Sequence, residues 1–517
     1  MSRAPVIMVA SENGALPGGK AGGVGDVIRE LPQALATLDQ SVTVICPSYG
    51  KLHTTEGMQR DQSFEVPFGP KLITIDSYVK IDTRGVRHIV LDHALFNPNN
   101  DQQIYNDDGS DRPFATDAGK FALLSAAAAT WIAENAAEDA IIHLHDWHAA
   151  PALVLRALEP RLAKLRSHRT VLTLHNLSLQ GIRPLDHDAS SFAAWFPDLD
   201  RTNAVLIDPR YRDCFNPISA GIKLADAINT VSPTNAREIL QPDDASRAFR
   251  GGEGLEDILR NAADEDRVHG ILNGCDYDQE IARTDWSTLS RETETAIDQW
   301  LESDRSNRSL HELAKRRLDG FNQTPPTMLL TSVGRITDQK VKLLLHKNAD
   351  GKSALSRLLK QLPDNAAFIL LGTGDRQMEA DFAAHSREHS SFLFLRGFSE
   401  PLSEALYSSG HLFVMPSSFE PCGISQMMSM RAGQPCLVHA VGGLNDTVVD
   451  GETGYRFAGD SLDDQVDAML DRAKTAIAQF YDDKTQWQAL SAHCRAQRFV
   501  WRDAAIQYQQ KMYAADD

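Results

Sequence analysis

Short apolar runs bounded by turn residues alternate, almost from end to end of the chain, with stretches in which apolar positions recur every three or four residues. Continuous apolar runs suit strands buried on both faces, so the pattern predicts an α/β protein built on parallel sheets covered by helices. In the first half, strands are predicted at 6–10, 42–46, 140–144, 170–174 and 227–231, with a helix over 27–38 and a side hairpin pairing 71–81 with 88–91. A second series predicts strands at 328–333, 367–371, 392–395, 412–415 and 435–438. Before it, Gly320-Phe-Asn-Gln-Thr-Pro-Pro326 combines a glycine, a polar run and two prolines and reads as a linker. Two similar series predict two doubly wound, Rossmann-like domains facing a cleft, with a single barrel as the competing arrangement. The tail from 462 onward reads as mostly helical, and 501–513 is expected to fold back on the first domain.

Composition narrows the classes of partner. The chain has 517 residues, and 52 basic against 70 acidic side chains leave a net charge of −18, which disfavours duplex nucleic acid or an anionic membrane as main partner. With 42% hydrophobic and 24% charged residues this is an ordinary folded protein of about two to four domains. Six cysteines, at 46, 214, 275, 422, 436 and 494, form no Cys-x-x-Cys pair, so neither a disulfide framework nor a thiolate zinc site is indicated and a reducing cytoplasm fits. The apolar stretch 6–10 is too short for a signal-peptide core, and the alanine-rich 121–133 falls far below the roughly 20 residues of a bilayer span.

Several segments carry candidate chemistry. After the first strand, 13–26 holds closely spaced glycines and Lys20, which suits either a plain loop or a phosphate cradle at a helix start; the spacing is neither a dinucleotide fingerprint nor a Walker loop. His143-Leu-His-Asp-Trp-His148 lies at a strand end and allows a capped turn with satisfied imidazoles, a catalytic rim or a metal centre. Another strand ends at Leu174-His175-Asn176, and parallel strands deliver ligand-facing residues at their carboxyl ends. In the second series Arg335 and Lys340 flank a predicted helix start and could converge on one polyanion, or could be solvated surface cations. Gly372-Thr-Gly-Asp375 is a weak strand-to-turn signal. In 413–426 an apolar strand stops at Pro416, and Glu420 precedes Pro421, Gly423 and a new helix. Amides around Gly423 to Ser425 could hold a phosphate and Glu420 could accept sugar hydroxyls, or Glu420 could merely cap the turn.

Taken together, these segments resemble the bacterial glycogen synthases and plant starch synthases, retaining glucosyltransferases of the GT-B fold. The matching stretches are 20–27, 145–149, 173–176, 230–233, 270–276, 335–340, 420–423 and 442–447, in the family's order. The resemblance implies an N-terminal starch-synthase-like domain over 1–320, a nucleotide-sugar-binding domain over 327–490 and a tail, 491–517, packed back on the first. It implies transfer of glucose from a nucleotide sugar, ADP-glucose, to an α-1,4-glucan, as in glycogen biosynthesis, with no metal or other cofactor. By the same resemblance Arg335 and Lys340 contact the donor diphosphate, Glu420 the transferred glucose, and His175 and Asp146 the reacting sugar. Lys20, Gly22, Gly23 and Asp26 match the first-domain donor loop, Asn273 a polar group of the cleft, and Phe398 an aromatic near the base. Cys422, Gly423, Ile424 and Ser425 match the turn at the distal phosphate.

Loss of the diphosphate leaves extra negative charge that the two cations would stabilise, and domain closure would exclude water. The chain departs from the family at Asn235 and Leu179, where aromatics are usual, at Ser219, usually lysine, at Val341, usually glycine, and by extra residues at 15–19. Lost aromatic faces motivate a shorter or different acceptor. Two readings from other classes stay open: a metal-dependent hydrolase using His143, His145 and His175, and a noncatalytic sugar-nucleotide sensor or glucan-binding protein.

Overall fold

The computed structural model describes residues 3–277 and 281–514. The chain folds as two compact units, the first comprising residues up to 242, Gly251–Gly274 and the tail from Trp501, the second Asp243–Arg250 and Cys275–Val500. Residues 515–517 of the tail lie outside the described residues.

The first unit is built on β1 (Val6–Val9), β2 (Val42–Pro47), β3 (Gln59–Phe68), β4 (Lys71–Ile81), β5 (Arg87–Asp92), β6 (Ile141–His145) and β7 (Thr170–Leu174). Its further strands are β8 (Arg183–Pro184), β9 (Cys214–Phe215), β10 (Ala227–Thr230) and β11 (Val268–Gly270). Among the described residues nine strands form one open sheet, ordered β11-β10-β7-β6-β1-β2-β5-β4-β3, while β8 and β9 pair separately. The expected side hairpin is instead an extension of this sheet: β4 is antiparallel to both β3 and β5, and β5 joins β2 in parallel. Strand β3 is not apparent from the sequence because exposed polar residues such as Arg60, Asp61 and Ser63 interrupt its apolar pattern.

Alternation along β1 sends Ile7 and Val9 to the core under the helix Ala115–Asn135, and Val6 and Met8 to the core under the helix Gly23–Ala36. That second layer also takes Trp501, Ala504, Tyr508 and Met512 of the tail. The Tyr508 hydroxyl accepts from Asn229 Nδ2 at 2.6 Å, and Tyr513 Oη lies 2.8 Å from His143 Nδ1.

The second unit is built on β12 (Met328–Val333), β13 (Ala366–Gly372), β14 (Phe392–Arg396), β15 (Leu412–Met415), β16 (Cys436–His439) and β17 (Gly454–Phe457). These are parallel and ordered β14-β13-β12-β15-β16-β17, the doubly wound order in which the chain reverses direction next to β12. Two open sheets replace the barrel alternative. The linker expected at 320–326 is displaced: the helix Arg308–Gln323 runs through Gly320. Its residues Ala314 and Leu318, with Leu289, Ile297 and Trp300 of the helix Trp286–Ser303, pack on Leu329, Ala367 and Ile369 of the second sheet. Apolar helix faces, rather than Gly and Pro content, set the boundary, so residues 275–320 belong to the second unit.

Candidate active site

In doubly wound sheets ligands collect at the carboxyl ends of the strands where the order reverses. In the first sheet that point lies at β1 and β6, whose ends lead into Glu12-Asn13 and His145-Asp146. In the second it lies at β12 and β15, whose ends lead into Arg335 and into Ser417–Glu420. Each sheet therefore delivers its candidate residues where its topology opens.

At the end of β1 the decisive residue is Glu12, which no motif in the sequence marks. Its buried carboxylate accepts from the amides of Ala21 (2.7 Å), Gly22 (2.7 Å) and Gly25 (3.2 Å) through Oε2, and from the Tyr105 hydroxyl (2.8 Å) through Oε1. The glycine loop thus folds around an internal carboxylate at the N-terminal, electropositive end of the helix Gly23–Ala36. This corrects the picture of an open phosphate cradle, because the amide of Gly22 is already engaged by protein. Close packing explains the glycines: a Cβ at Gly25 would meet Glu12 Oε2 and the Lys20 stem at about 2.9 Å. Lys20 itself is half-exposed and pairs with Asp26 at 2.7 Å, and Arg29 reaches the same carboxylate at 3.1 Å. The signal that could have found Glu12 is a single acid set between an apolar strand and a glycine cluster.

At the ends of β6 and β7 a buried histidine row forms. His143 is satisfied on both nitrogens, by Tyr513 Oη (2.8 Å) and Thr173 Oγ1 (2.7 Å). It stacks on His145 with centroids 4.2 Å apart, and His145 Nδ1 lies 3.0 Å from His175 Nε2. Burial depresses the pKa of His143 and His148 to about 3 and of His175 to about 4, and pushes that of His145 well down, so the row is neutral at pH 7. Asp146 takes a left-handed φ of +55° and turns its carboxylate back to accept from the amide of His175 at 2.7 Å. Burial outweighs that bond and the one from Asn176, raising the Asp146 carboxyl to about 7.

A metal at these strand ends does not fit, because both His143 nitrogens are committed. Among the described residues, the group of histidine and carboxylate side chains whose ligand atoms approach within 4.8 Å is His385, Glu388 and His389, at the end of the second-unit helix Arg376–Glu388. Asn273, in the first unit, is buried with its Oδ1 unpartnered.

In the second unit Arg335 follows β12 and is exposed, while Lys340 sits in the first turn of the helix Asp338–Leu345. The structure brings Lys340 and Glu420 together: Lys340 Nζ donates to Glu420 Oε2, with the side chains 21% and 7% exposed, and Ser417 Oγ adds a bond of 3.1 Å to the same oxygen. Gln339, missed in the sequence, fixes this pairing. Its Nε2 donates to Phe419 O at 2.8 Å, and its own carbonyl accepts from Ser418 N at 2.8 Å. Behind the turn, Gly442 and Gly443 pack so tightly on the backbone of Glu420 and Cys422 that any Cβ would overlap it. Gly423 has a φ of +76°, and Gln426 Nε2 ties the carbonyls of Cys422 (3.1 Å) and Gly423 (3.0 Å) to Thr447. The helix Ser425–Arg431 starts after Ile424 with no side-chain cap, and Tyr407 Oη lies 3.0 Å from Ser425 Oγ. Phe398 is 76% exposed beyond β14.

A model of the starch synthase catalytic domain matches residues 5–261, and one of glycosyl transferases group 1 matches residues 328–474. The glycogen synthases of Anaeromyxobacter sp. (strain Fw109-5) and Deinococcus radiodurans are each 32% identical, over 98% and 97% of this chain and 98% of each relative. The chain belongs to the glycogen synthase family. The solved catalytic domain of starch synthase IV from Arabidopsis thaliana, bound to ADP and acarbose, superposes with a TM-score of 0.77 at 26% identity, covering 99% of both chains. Sucrose-phosphate synthase from Thermosynechococcus elongatus shares the fold, with a TM-score of 0.54 at 16% identity and 98% coverage of both chains. As a member of the family, this protein is a glycosyltransferase of the GT-B fold and of glycogen or starch synthesis. No described helix is long and apolar enough to cross a membrane.

Two of the family departures lie indoors. Asn235 and Ser219 are buried, Asn235 Oδ1 accepting from Thr230 Oγ1, whereas Leu179 is 43% exposed. The first two substitutions alter interior packing and strip no surface of a sugar-binding face.

Proposed function

We propose that the chain transfers glucose from ADP-glucose to the end of an α-1,4-glucan with retention of the anomeric configuration. The observation that carries the donor half is the Lys340 and Glu420 pair at the topological switch of the second sheet, held by Gln339 and backed by glycines. An ammonium and a buried carboxylate side by side offer one group for phosphate and one for sugar hydroxyls. Arg335 supplies the second cation, and Cys422 to Ser425 supply the turn for the distal phosphate. The ADP and acarbose bound by starch synthase IV support ADP over UDP and an acceptor made of linked sugar rings.

In the reaction the bond from C1 to the diphosphate oxygen breaks and its electron pair stays on the diphosphate. The acceptor hydroxyl oxygen forms the new bond to C1 on the same face, and its proton passes to a diphosphate oxygen. Arg335 and Lys340 stabilise the leaving charge, which is greater in the transition state than in the bound donor. Glu420 orients the glucose, and neutral His175, fixed by Asp146, donates to it without competing for the charge. The Lys20 loop, braced by Glu12, completes the donor contacts with Gly23 and Asp26, while Asn273 and Phe398 contribute a polar group and a ring face.

The test is transfer of labelled glucose from ADP-glucose and UDP-glucose to glycogen, maltohexaose and maltose, in the wild type and in Arg335→Ala. We expect ADP-glucose and the longer acceptors to be used, and Arg335→Ala to lower kcat by about 10²–10³. Donor binding without turnover would establish a sensor instead.

A further inference from the structure

The segment before the helix Ala115–Asn135 presents Phe114 in a conformation that suits it poorly. Its φ and ψ are +60° and +15°, a left-handed position disfavoured for a bulky side chain, and as the residue capping the helix it offers no hydrogen-bonding group. Glycine or asparagine would serve both purposes better. The ring is nonetheless 37% exposed.

The segment is built rather than loose. Buried Arg183 donates to Pro113 O at 3.0 Å, and Arg112 pairs with Asp188 at 2.8 Å. Buried Lys120 donates to Ile104 O and Asn106 Oδ1, both at 2.7 Å, holding the preceding part of the same loop. These contacts place the Phe114 ring edge-on to Trp147, with centroids 6.2 Å apart, beside the turn that carries Asp146 and His148. The same loop brings Tyr105 to that turn as well, its ring 5.5 Å from His148 and its hydroxyl on Glu12. Gly181, at a φ of +66°, lays its backbone on the Trp147 ring, where a Cβ would overlap, and Leu179, two residues earlier in the chain, is 43% exposed.

We infer that Phe114 is a stacking platform for a pyranose ring of the acceptor glucan, and that it supplies in another place the aromatic face that Leu179 lacks. An apolar ring held exposed at a position that favours glycine or asparagine is explained by a ligand that uses the ring. This inference rests on the reading of the chain as a glucan-elongating transferase, and it concerns the acceptor alone.

The experiment compares wild type with Phe114→Asn, Phe114→Ala and Phe114→Trp. The readouts are KM for maltohexaose at saturating ADP-glucose, KM for ADP-glucose, the melting temperature, and direct calorimetric binding of maltohexaose without donor. We expect Phe114→Asn and Phe114→Ala to weaken maltohexaose in both acceptor readouts by roughly 3- to 10-fold, and Phe114→Trp to restore it. The KM for ADP-glucose should stay put. Phe114→Asn should melt at or above the wild-type temperature, by up to about 4 °C, which separates a binding role from a structural one. Maltohexaose affinity within twofold of wild type in Phe114→Asn overturns the inference. If wild type transfers nothing, the functional reading fails on its own, and the calorimetric arm still decides whether Phe114 binds glucan.

Discussion

Glu12 is the residue whose removal should be felt most locally. Glu12→Ala strips the acceptor from three amides and one hydroxyl, at 2.7, 2.7, 3.2 and 2.8 Å. The amide of Gly25 is buried and has no water to turn to, which costs about 1–3 kcal/mol; the amides of exposed Ala21 and half-buried Gly22 can rehydrate at about 0.5–1.5 kcal/mol each. Loss of a negative charge from the helix start adds about 0.3–1 kcal/mol. Together the loop and first helical turn should lose about 3–5 kcal/mol of local stability, whereas Glu12→Gln, which keeps an acceptor oxygen and the shape, should lose about 1–2 kcal/mol. At about 1.4 kcal/mol per decade, amide exchange in a peptide spanning residues 12–30 should accelerate about 10²–10⁴-fold in Glu12→Ala, read by hydrogen-exchange mass spectrometry. The KM for ADP-glucose should rise with it if Lys20 contacts the donor. Exchange within threefold of wild type would show that the loop is held by its own turns and not by the carboxylate.

Two further outcomes follow from the buried titratable groups. With Asp146 raised to about 7, kcat/KM for the donor should climb through neutrality as a carboxylate forms beside the reacting sugar, and Asp146→Asn should flatten that limb while keeping an amide acceptor for His175; an unchanged limb refutes the assignment. His143 and His148 titrate near 6.5 when unfolded but only at about 3 when folded, so the unfolded chain binds more protons across that window. Each should withdraw about 1–2 kcal/mol of stability as pH falls from 6.5 to 5. Asp146, shifted in the opposite sense, returns a comparable amount once as it gains its proton. Urea midpoints should therefore fall between pH 6.5 and 5, and a flat profile counts against neutral, buried imidazoles.

Strands buried on both faces were legible because only small hydroxyl residues interrupt their apolar runs, Thr170 and Thr173 in β7 and Thr331 and Ser332 in β12: β7, β12 and β15 lie where the runs 170–174, 328–333 and 412–415 stand. Edge strand β3 was not, since its exposed face carries Asp61, Ser63 and Glu65, and β11 was hidden because its three residues are only half buried. The glycine at 320 misled because an exposed helical glycine, with nothing within 4 Å of a notional Cβ, costs about 1 kcal/mol and breaks nothing. For the sites, motif spacing found the strand ends, but partnership is a property of three dimensions. Sequence separation of 80 residues hides that Lys340 meets Glu420, and nothing in the glycine run says that its amides turn inward to Glu12.

That meeting of Lys340 and Glu420 complicates the simplest mutant. Glu420 is 7% exposed, so Lys340→Ala both removes a cation from the diphosphate and strands a buried carboxylate that Ser417 alone cannot neutralise. A rate loss in this variant therefore mixes chemistry with disorder of the turn. The two separate in a double-mutant cycle with Glu420→Gln, which removes the stranded charge while preserving shape. Because Lys340 keeps partial solvent contact, the coupling in stability should be about 1–3 kcal/mol: Lys340→Ala with Glu420→Gln should be more stable than Lys340→Ala alone. Its turnover should not recover, since the diphosphate still lacks its ammonium and the glucose its carboxylate. Recovery of turnover along with stability would mean that Lys340 serves the fold of residues 417–420 and not the leaving group, leaving Arg335 to carry the charge by itself.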